Sequence, residues 1–313
     1  MSENQKPYFE INGKPIKRNF FRKYRSYLAV YSDYIEIEME GNHDIIQLDD
    51  IDDIFIKDPI IEDIDCRTVL IDYFEDGQRM QYTLEESTYE GVAEEMAEVL
   101  ATKWTHFVEK YSYPATVKWF IACTLTIQIS SELNPNIFGG QYKYPDVIKS
   151  QREGLAESWG FKSREDLLEM LPKLYEGRAM NQYLQKLENI NTLDSDNKEL
   201  INTIRNTCGD KGIWAWDLQR LILISGLGYV SDYISYEEAL DWCLKAALKL
   251  QSIYSSWDDF MQGYLWGYCF WSGDDMDDED SEAYQRRQIY EFYKNKKGFP
   301  FTVSWNHPLT CEW

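Results

Sequence analysis

The apolar residues of this chain change their spacing once, near Glu85, and no single layer of structure satisfies both patterns. Upstream, from about residue 8, they alternate with period two, the spacing of strands with one face on a core. The runs Tyr27–Tyr31, Tyr34–Met39, Ile45–Leu48, Ile51–Ile56, Thr68–Phe74 and Met80–Leu84 each read as a short strand. Turn residues separate them: Ser32-Asp33, Gly41-Asn42, Asp58-Pro59 and Asp76-Gly77. The last is the strongest hairpin signal, because a tight two-residue turn needs positive φ.

Downstream the period becomes helical. Ser87-x-x-Glu90 has the form of a capping box, and Val92, Met96, Val99, Leu100, Trp104 and Phe107 follow on one helical face. A strand meander closed by one amphipathic helix resembles the pleckstrin-homology-like fold, in pattern alone. Pro114 marks a boundary, so the reading is α+β: a small antiparallel β domain over 1–112 and an all-α domain over 113–313. Helices are expected at Thr116–Ser131, Pro145–Trp159, Arg164–Tyr175, Ala179–Glu188, Trp214–Ile224, Tyr236–Tyr254, Trp257–Phe270 and Glu282–Lys296. Ser163-x-x-Asp166, Ser235-x-x-Glu238 and Ser256-x-x-Asp259 supply start signals.

Charge narrows the partners. With 54 acidic and 32 basic residues the formal net charge is −22, which disfavours nucleic acid and anionic membrane and favours a basic partner. Six of the seven residues from Asp274 to Asp280 are acidic, a segment expected to stay solvated. The one basic stretch, Lys14 to Arg25, lies in a domain of 25 acids and 12 basic residues to position 110, and reads as a protected edge strand. Six widely spaced cysteines, the absence of an apolar leader at the N-terminus and apolar runs too short to span a bilayer lead to a cytoplasmic expectation.

In the second half the words become specific. Gly212-Ile213-Trp214-Ala215-Trp216-Asp217-Leu218-Gln219-Arg220 is followed by Gly228-Tyr229, Tyr233-Ile234-Ser235, Ser256-Trp257, Tyr264-Leu265-x-Gly267 and Phe270-Trp271-Ser272-Gly273. Trp159-Gly160-Phe161, Ser163 to Leu167 and Glu176-Gly177-Arg178 precede them. Over about residues 116–275 this set resembles the bacterial domain-of-unknown-function family 1266. The resemblance implies no established reaction. Its members' frequent position beside secreted-toxin and Rhs-type genes implies an immunity protein that binds and blocks a cognate secreted toxin of the Rhs or type VI kind.

Candidate chemistry is sparse. Ser225-Gly226-Leu227-Gly228-Tyr229-Val230-Ser231 lacks the third glycine and the preceding strand of a dinucleotide loop, and is read as a glycine helix stop. Trp214, Asp217 and Arg220 share a helix face and form either a polar pocket or a structural ion pair; Arg164, Arg178 and Asp241 are candidates to join them. His43, His106 and His307 are not at metal-ligand spacing, and no nucleophile has a sequence-visible base, so no cofactor is expected. A basic toxin is expected to contact acids in two segments: Asp49, Asp50, Asp52 and Asp53, and Asp274, Asp275, Asp277 and Asp278. Three readings stay open: a non-catalytic binding protein, an enzyme or small-ligand domain using Asp217 and Arg220, and an adaptor acting through the N-terminal domain.

Overall fold

The computed structural model describes residues 6–19, 22–39, 41–58, 67–110, 112–131, 133–294 and 301–313. They fall into two compact units, Met1–Ser112 and Tyr113–Trp313.

The first unit has seven strands: β1 Phe9–Asn19, β2 Arg22–Val30, β3 Tyr34–Met39, β4 Asn42–Gln47, β5 Ile51–Lys57, β6 Thr68–Glu75 and β7 Gln78–Glu85. They pair antiparallel with their neighbours in a four-stranded sheet, β1 to β4, and a three-stranded sheet, β5 to β7. The basic stretch runs through the β1–β2 hairpin, with β1 at the edge of its sheet. Asp76 and Gly77 turn β6 into β7 with φ of 50° and 76°, both positive as a tight hairpin requires. Leu28, Val30, Ile35, Ile37, Val69, Ile71 and Leu84 point inward and form one core with Val92, Met96 and Val99 of helix α1, Val92–Thr102.

The start of α1 corrects the sequence reading. Ser87 does not cap it; its hydroxyl donates to Glu85 at 2.9 Å, and the helix begins after Gly91, whose φ of 79° excludes an earlier start. The apolar stripe also breaks at Lys103, so that Phe107 belongs to a separate short helix, α2, Thr105–Glu109.

The second unit is helical: α3 Ala115–Ser130, α4 Pro145–Trp159, α5 Arg164–Tyr175, α6 Arg178–Glu188, α7 Ser195–Cys208, α8 Trp214–Val230, α9 Tyr236–Ile253, α10 Trp257–Ser272 and α11 Glu282–Lys294. α8 is its axis, buried along most of its length and packed by α3, α4, α5, α6, α9 and α10. The C-terminal tail returns to the core. Trp305 packs on Trp119, Trp257 and Phe260, and its indole N–H donates to the Tyr254 carbonyl at 2.9 Å. Cys123, Cys208, Cys243 and Cys269 are buried free thiols; Cys311 is exposed, and Cys66 lies outside the described residues.

Gly226 and Gly228 do not stop α8, which runs on to Val230. They are close-packing points: a Cβ on Gly226 would lie 2.9 Å from Gly139 Cα, and one on Gly228 would lie 2.6 Å from Leu167 Cδ1. The segment from Ser225 to Val230 is therefore helical, with Ser231 just past the helix end and no strand before it. α7 has no counterpart in the sequence reading, because only Ile201, Ile204 and Cys208 mark its buried face.

Ser163 and Ser235 form complete capping boxes at α5 and α9, as their spacing predicts. The second also joins the two helices, since Arg164 Nη1 donates to Glu238 Oε2 at 2.9 Å and to the Tyr233 carbonyl at 3.0 Å. The Arg164 contact, helped by the Ser235 amide, draws the Glu238 carboxyl down from 4.5 to about 2. A lowered folded-state value gives stability that is complete above about pH 4.5 and disappears as pH falls toward 2. Because Glu238 is well solvated, Glu238→Gln should cost no more than about 1 kcal/mol at neutral pH. Urea unfolding across that window should show the gap closing; an equal gap at pH 2 would contradict this assignment.

Candidate functional site

Two places in the helical unit gather chemistry. The first surrounds the first turns of α8. Asp217 is completely buried and does not form an ion pair with Arg220. Its two oxygens accept the backbone N–H groups of Ala179 at 3.0 Å and Met180 at 2.9 Å. Helix α6 opens on Gly177, which has no side chain to cap it, so Asp217 provides that cap from another helix. Burial raises the Asp217 carboxyl, and the two amides, then Arg220 and Arg178, work against that rise.

Arg220 has a different environment. Its guanidinium carbon lies 4.4 Å from the Trp159 ring centre and 4.8 Å from that of Trp216. Burial pulls the group down to about 10, with the Asp217 charge opposing. Arg178, the first residue of α6, is exposed and near enough for its charge to act on both Asp217 and Arg220. Trp214 packs over Gly177, and Lys249 Nζ sits 3.6 Å from the centre of its ring while donating to the Tyr175 carbonyl at 2.7 Å. Of the residues considered as companions, Arg178 belongs here, Arg164 is engaged with Glu238, and Asp241 is exposed on α9. Lys249 was not singled out in the sequence, and Trp159 only as part of a word shared with the family, not as a neighbour of Arg220. Both are distant in the chain and only the fold brings them to α8.

The second place lies between α10 and α11. An open cleft of about 320 Å³ is lined by Met261, Leu265, Trp266 and Met276, with Asp258, Gln262, Arg287, Tyr290 and Glu291 around them. The acidic segment reaches it through Met276. Asp275, Asp277, Asp278, Glu279 and Asp280 are exposed, while Asp274 is half-buried and its carboxylate accepts the Ala283 N–H at 3.3 Å. Local bonds shape this segment: Asp275 accepts from the Asp277 amide at 2.9 Å, Asp278 from the Asp280 amide at 3.1 Å, and Arg287 reaches Asp277 at 3.3 Å. Trp271, at the end of α10, is 62% exposed.

The N-terminal acids divide. Asp49 and Asp50 are exposed in a 3-10 turn, Asp52 pairs with Lys110 at 3.3 Å, and Asp53 is buried. The rest of that acidic stretch, from 59 to 66, lies outside the described residues. Among the described residues no group of three His, Cys, Asp or Glu is placed to hold a metal, and His43 lies against Glu36 at 2.7 Å.

Comparison with known proteins places the helical unit. Residues 154–307 match the family model described as "Protein of unknown function (DUF1266)". The match bears out the resemblance carried by the tryptophan and glycine words; it begins later than residue 116 and runs past 275 through α11 into the tail. Three proteins of Escherichia coli K12 are similar. Uncharacterized protein YbeR is 25% identical over 138 residues, 39% of this chain and 59% of that protein. Uncharacterized protein YbeU is 24% identical over 183 residues, 50% and 77% of the two chains. Inner membrane protein YnjI is 24% identical over 180 residues, 51% and 52%. The matched segment thus spans under two thirds of YbeR and about half of YnjI. No helix among the described residues is long and apolar enough to cross a membrane. No solved structure matches, so the pleckstrin-homology resemblance of the first unit stays one of pattern.

Proposed function

We propose that this chain, through its DUF1266 segment, is a non-catalytic cytoplasmic binding protein whose partner is a basic protein, in the manner of an immunity protein blocking a secreted antibacterial toxin. The observation that carries this reading is the α10–α11 cleft, where an apolar floor of Met261, Leu265, Trp266 and Met276 adjoins five exposed acids between Asp275 and Asp280. Apolar contact beside fixed negative charge suits a partner presenting a Lys- or Arg-rimmed apolar side chain. Exposed Trp271 adds an aromatic of the kind that anchors interfaces. The net charge of −22 supports steering of such a partner.

The gene neighbourhood implied by the family resemblance supplies the test. A secreted-toxin gene adjacent to this one, the neighbour this reading expects, is expressed in a sensitive bacterium with and without this chain, and complex formation is measured on the purified pair. Growth rescue with a stable complex is the expected result. Changing Asp275, Asp277 and Asp278 together to Lys should slow association at least about tenfold at low salt, and much less at 1 M salt, where the screening length falls to about 3 Å. Rescue without a complex, or association indifferent to the charge reversal, would defeat the proposal.

A further inference from the structure

Arg220 is the feature of this unit that packing alone does not account for. Two indole rings lie against its guanidinium, and a guanidinium donates its hydrogen bonds in its own plane, along the N–H edge. Among the described residues nothing accepts from that edge, and no carboxylate comes within ion-pair distance. Asp217, one turn away, is held by the amides of Ala179 and Met180.

Arg286 shows how this fold treats a buried arginine that is purely structural. It is 5% exposed, its Nε donates to Glu282 at 3.1 Å, its Nη1 donates to the Tyr264 hydroxyl, and it lies on the Tyr268 ring. Arg220 has the ring contacts without the acceptors. Arg178 beside it likewise makes no ion pair among the described residues, its nearest partner being Met170 Sδ at 3.6 Å. Two neighbouring arginines without an ion-pair partner, with only the amide-bound Asp217 near them, form a local reversal of the field in a chain with 22 more acids than bases.

We infer that Arg220 and Arg178 hold a small oxyanion, the phosphate or carboxylate group of a soluble molecule, taken edge-on by the Arg220 fork that packs against Trp159 and Trp216. The fork geometry suits a planar carboxylate or two oxygens of a phosphate. The indoles packed against the side chain hold it before the ligand arrives, which lowers the ordering cost, and its partial burial strengthens the charge-assisted bonds. Arg178, exposed at the mouth, adds the second charge. This site is separate from the α10–α11 cleft, and its occupation does not depend on the protein partner proposed above.

The test uses the full chain and two probes at constant ionic strength: inorganic phosphate followed by phosphorus NMR line broadening, and succinate followed by saturation-transfer NMR. Saturable binding of at least one probe is expected, and which one binds separates phosphate from carboxylate chemistry. Arg220→Lys keeps the charge but loses the fork, so it should weaken binding at least about tenfold. Arg178→Gln changes an exposed residue without disturbing packing and should weaken it several-fold. The inference is overturned if neither probe saturates the wild-type chain. It is equally overturned if Arg178→Gln, or folded Arg220→Lys, binds as well as wild type.

Discussion

Replacing Asp217 with alanine is expected to destabilise the helical unit by about 3–5 kcal/mol. The loss has three sources. Two buried amides, Ala179 and Met180, lose the carboxylate they donate to at 3.0 and 2.9 Å, and each unsatisfied donor costs about 1–3 kcal/mol. Helix α6 loses its only side-chain cap, since Gly177 offers none. Arg178, Arg220 and Lys249 also lose the one negative charge acting on all three.

Asp217→Asn divides these sources. The amide oxygen keeps one acceptor for the helix and removes the cost of burying a charge, which the raised carboxyl value of Asp217 reflects. Its loss should therefore be smaller, about 1–3 kcal/mol. Ten of the 11 tryptophans lie beyond residue 112, so intrinsic fluorescence during urea unfolding reports this unit almost alone. An alanine variant with an unchanged midpoint would show that Asp217 is not the cap of α6.

Local signals were legible in the sequence where neighbouring residues decide the structure. The Asp76-Gly77 hairpin needs only two residues with positive φ, and the Ser163 and Ser235 boxes close within three positions. Signals failed where a distant residue decides. A cap delivered to α6 from Asp217, 37 and 38 positions away, has no local pattern. Gly226 and Gly228 resemble a helix stop, because glycine in a helix costs up to about 1 kcal/mol relative to alanine. Their close approach to Gly139 and Leu167 offsets that cost, and only the packed structure shows it. The polar reading of Asp217 and Arg220 paired two side chains that the fold engages separately, one with backbone amides and one with indoles.

The same contacts explain why tryptophan and glycine dominate the words shared with the family. A Cβ on Gly267 would strike Trp216 Cβ, and one on Gly263 would lie 2.6 Å from the Tyr254 hydroxyl. The glycines are the surfaces on which large rings lie, and Ala215 sits beside one such contact, its N–H donating to that hydroxyl at 2.9 Å. Large rings and small residues thus form complementary pairs across helices, which keeps the density of the core high.

Gly177 and Gly160 allow this packing account to be measured. Both end or begin helices with positive φ, 85° and 76°, so an alanine at either pays a similar backbone cost of about 1–2 kcal/mol. Their surroundings differ. A Cβ on Gly160 meets nothing within 4 Å, whereas one on Gly177 would lie 2.5 Å from Trp214 Cζ3 and 2.6 Å from its Cη2. Lys249 packs against the Trp214 ring, which restricts its retreat. Overpacking of this kind adds about 1–3 kcal/mol. Gly177→Ala should therefore cost about 2–4 kcal/mol and Gly160→Ala only the backbone part. Introducing Trp214→Leu should recover the excess in Gly177→Ala, after allowance for its own cost, and leave Gly160→Ala unaffected, a coupling that a double-mutant cycle reads directly. Equal losses at the two glycines, or no coupling to Trp214, would mean that the conformation of the turn alone, not the ring lying on it, requires glycine at position 177.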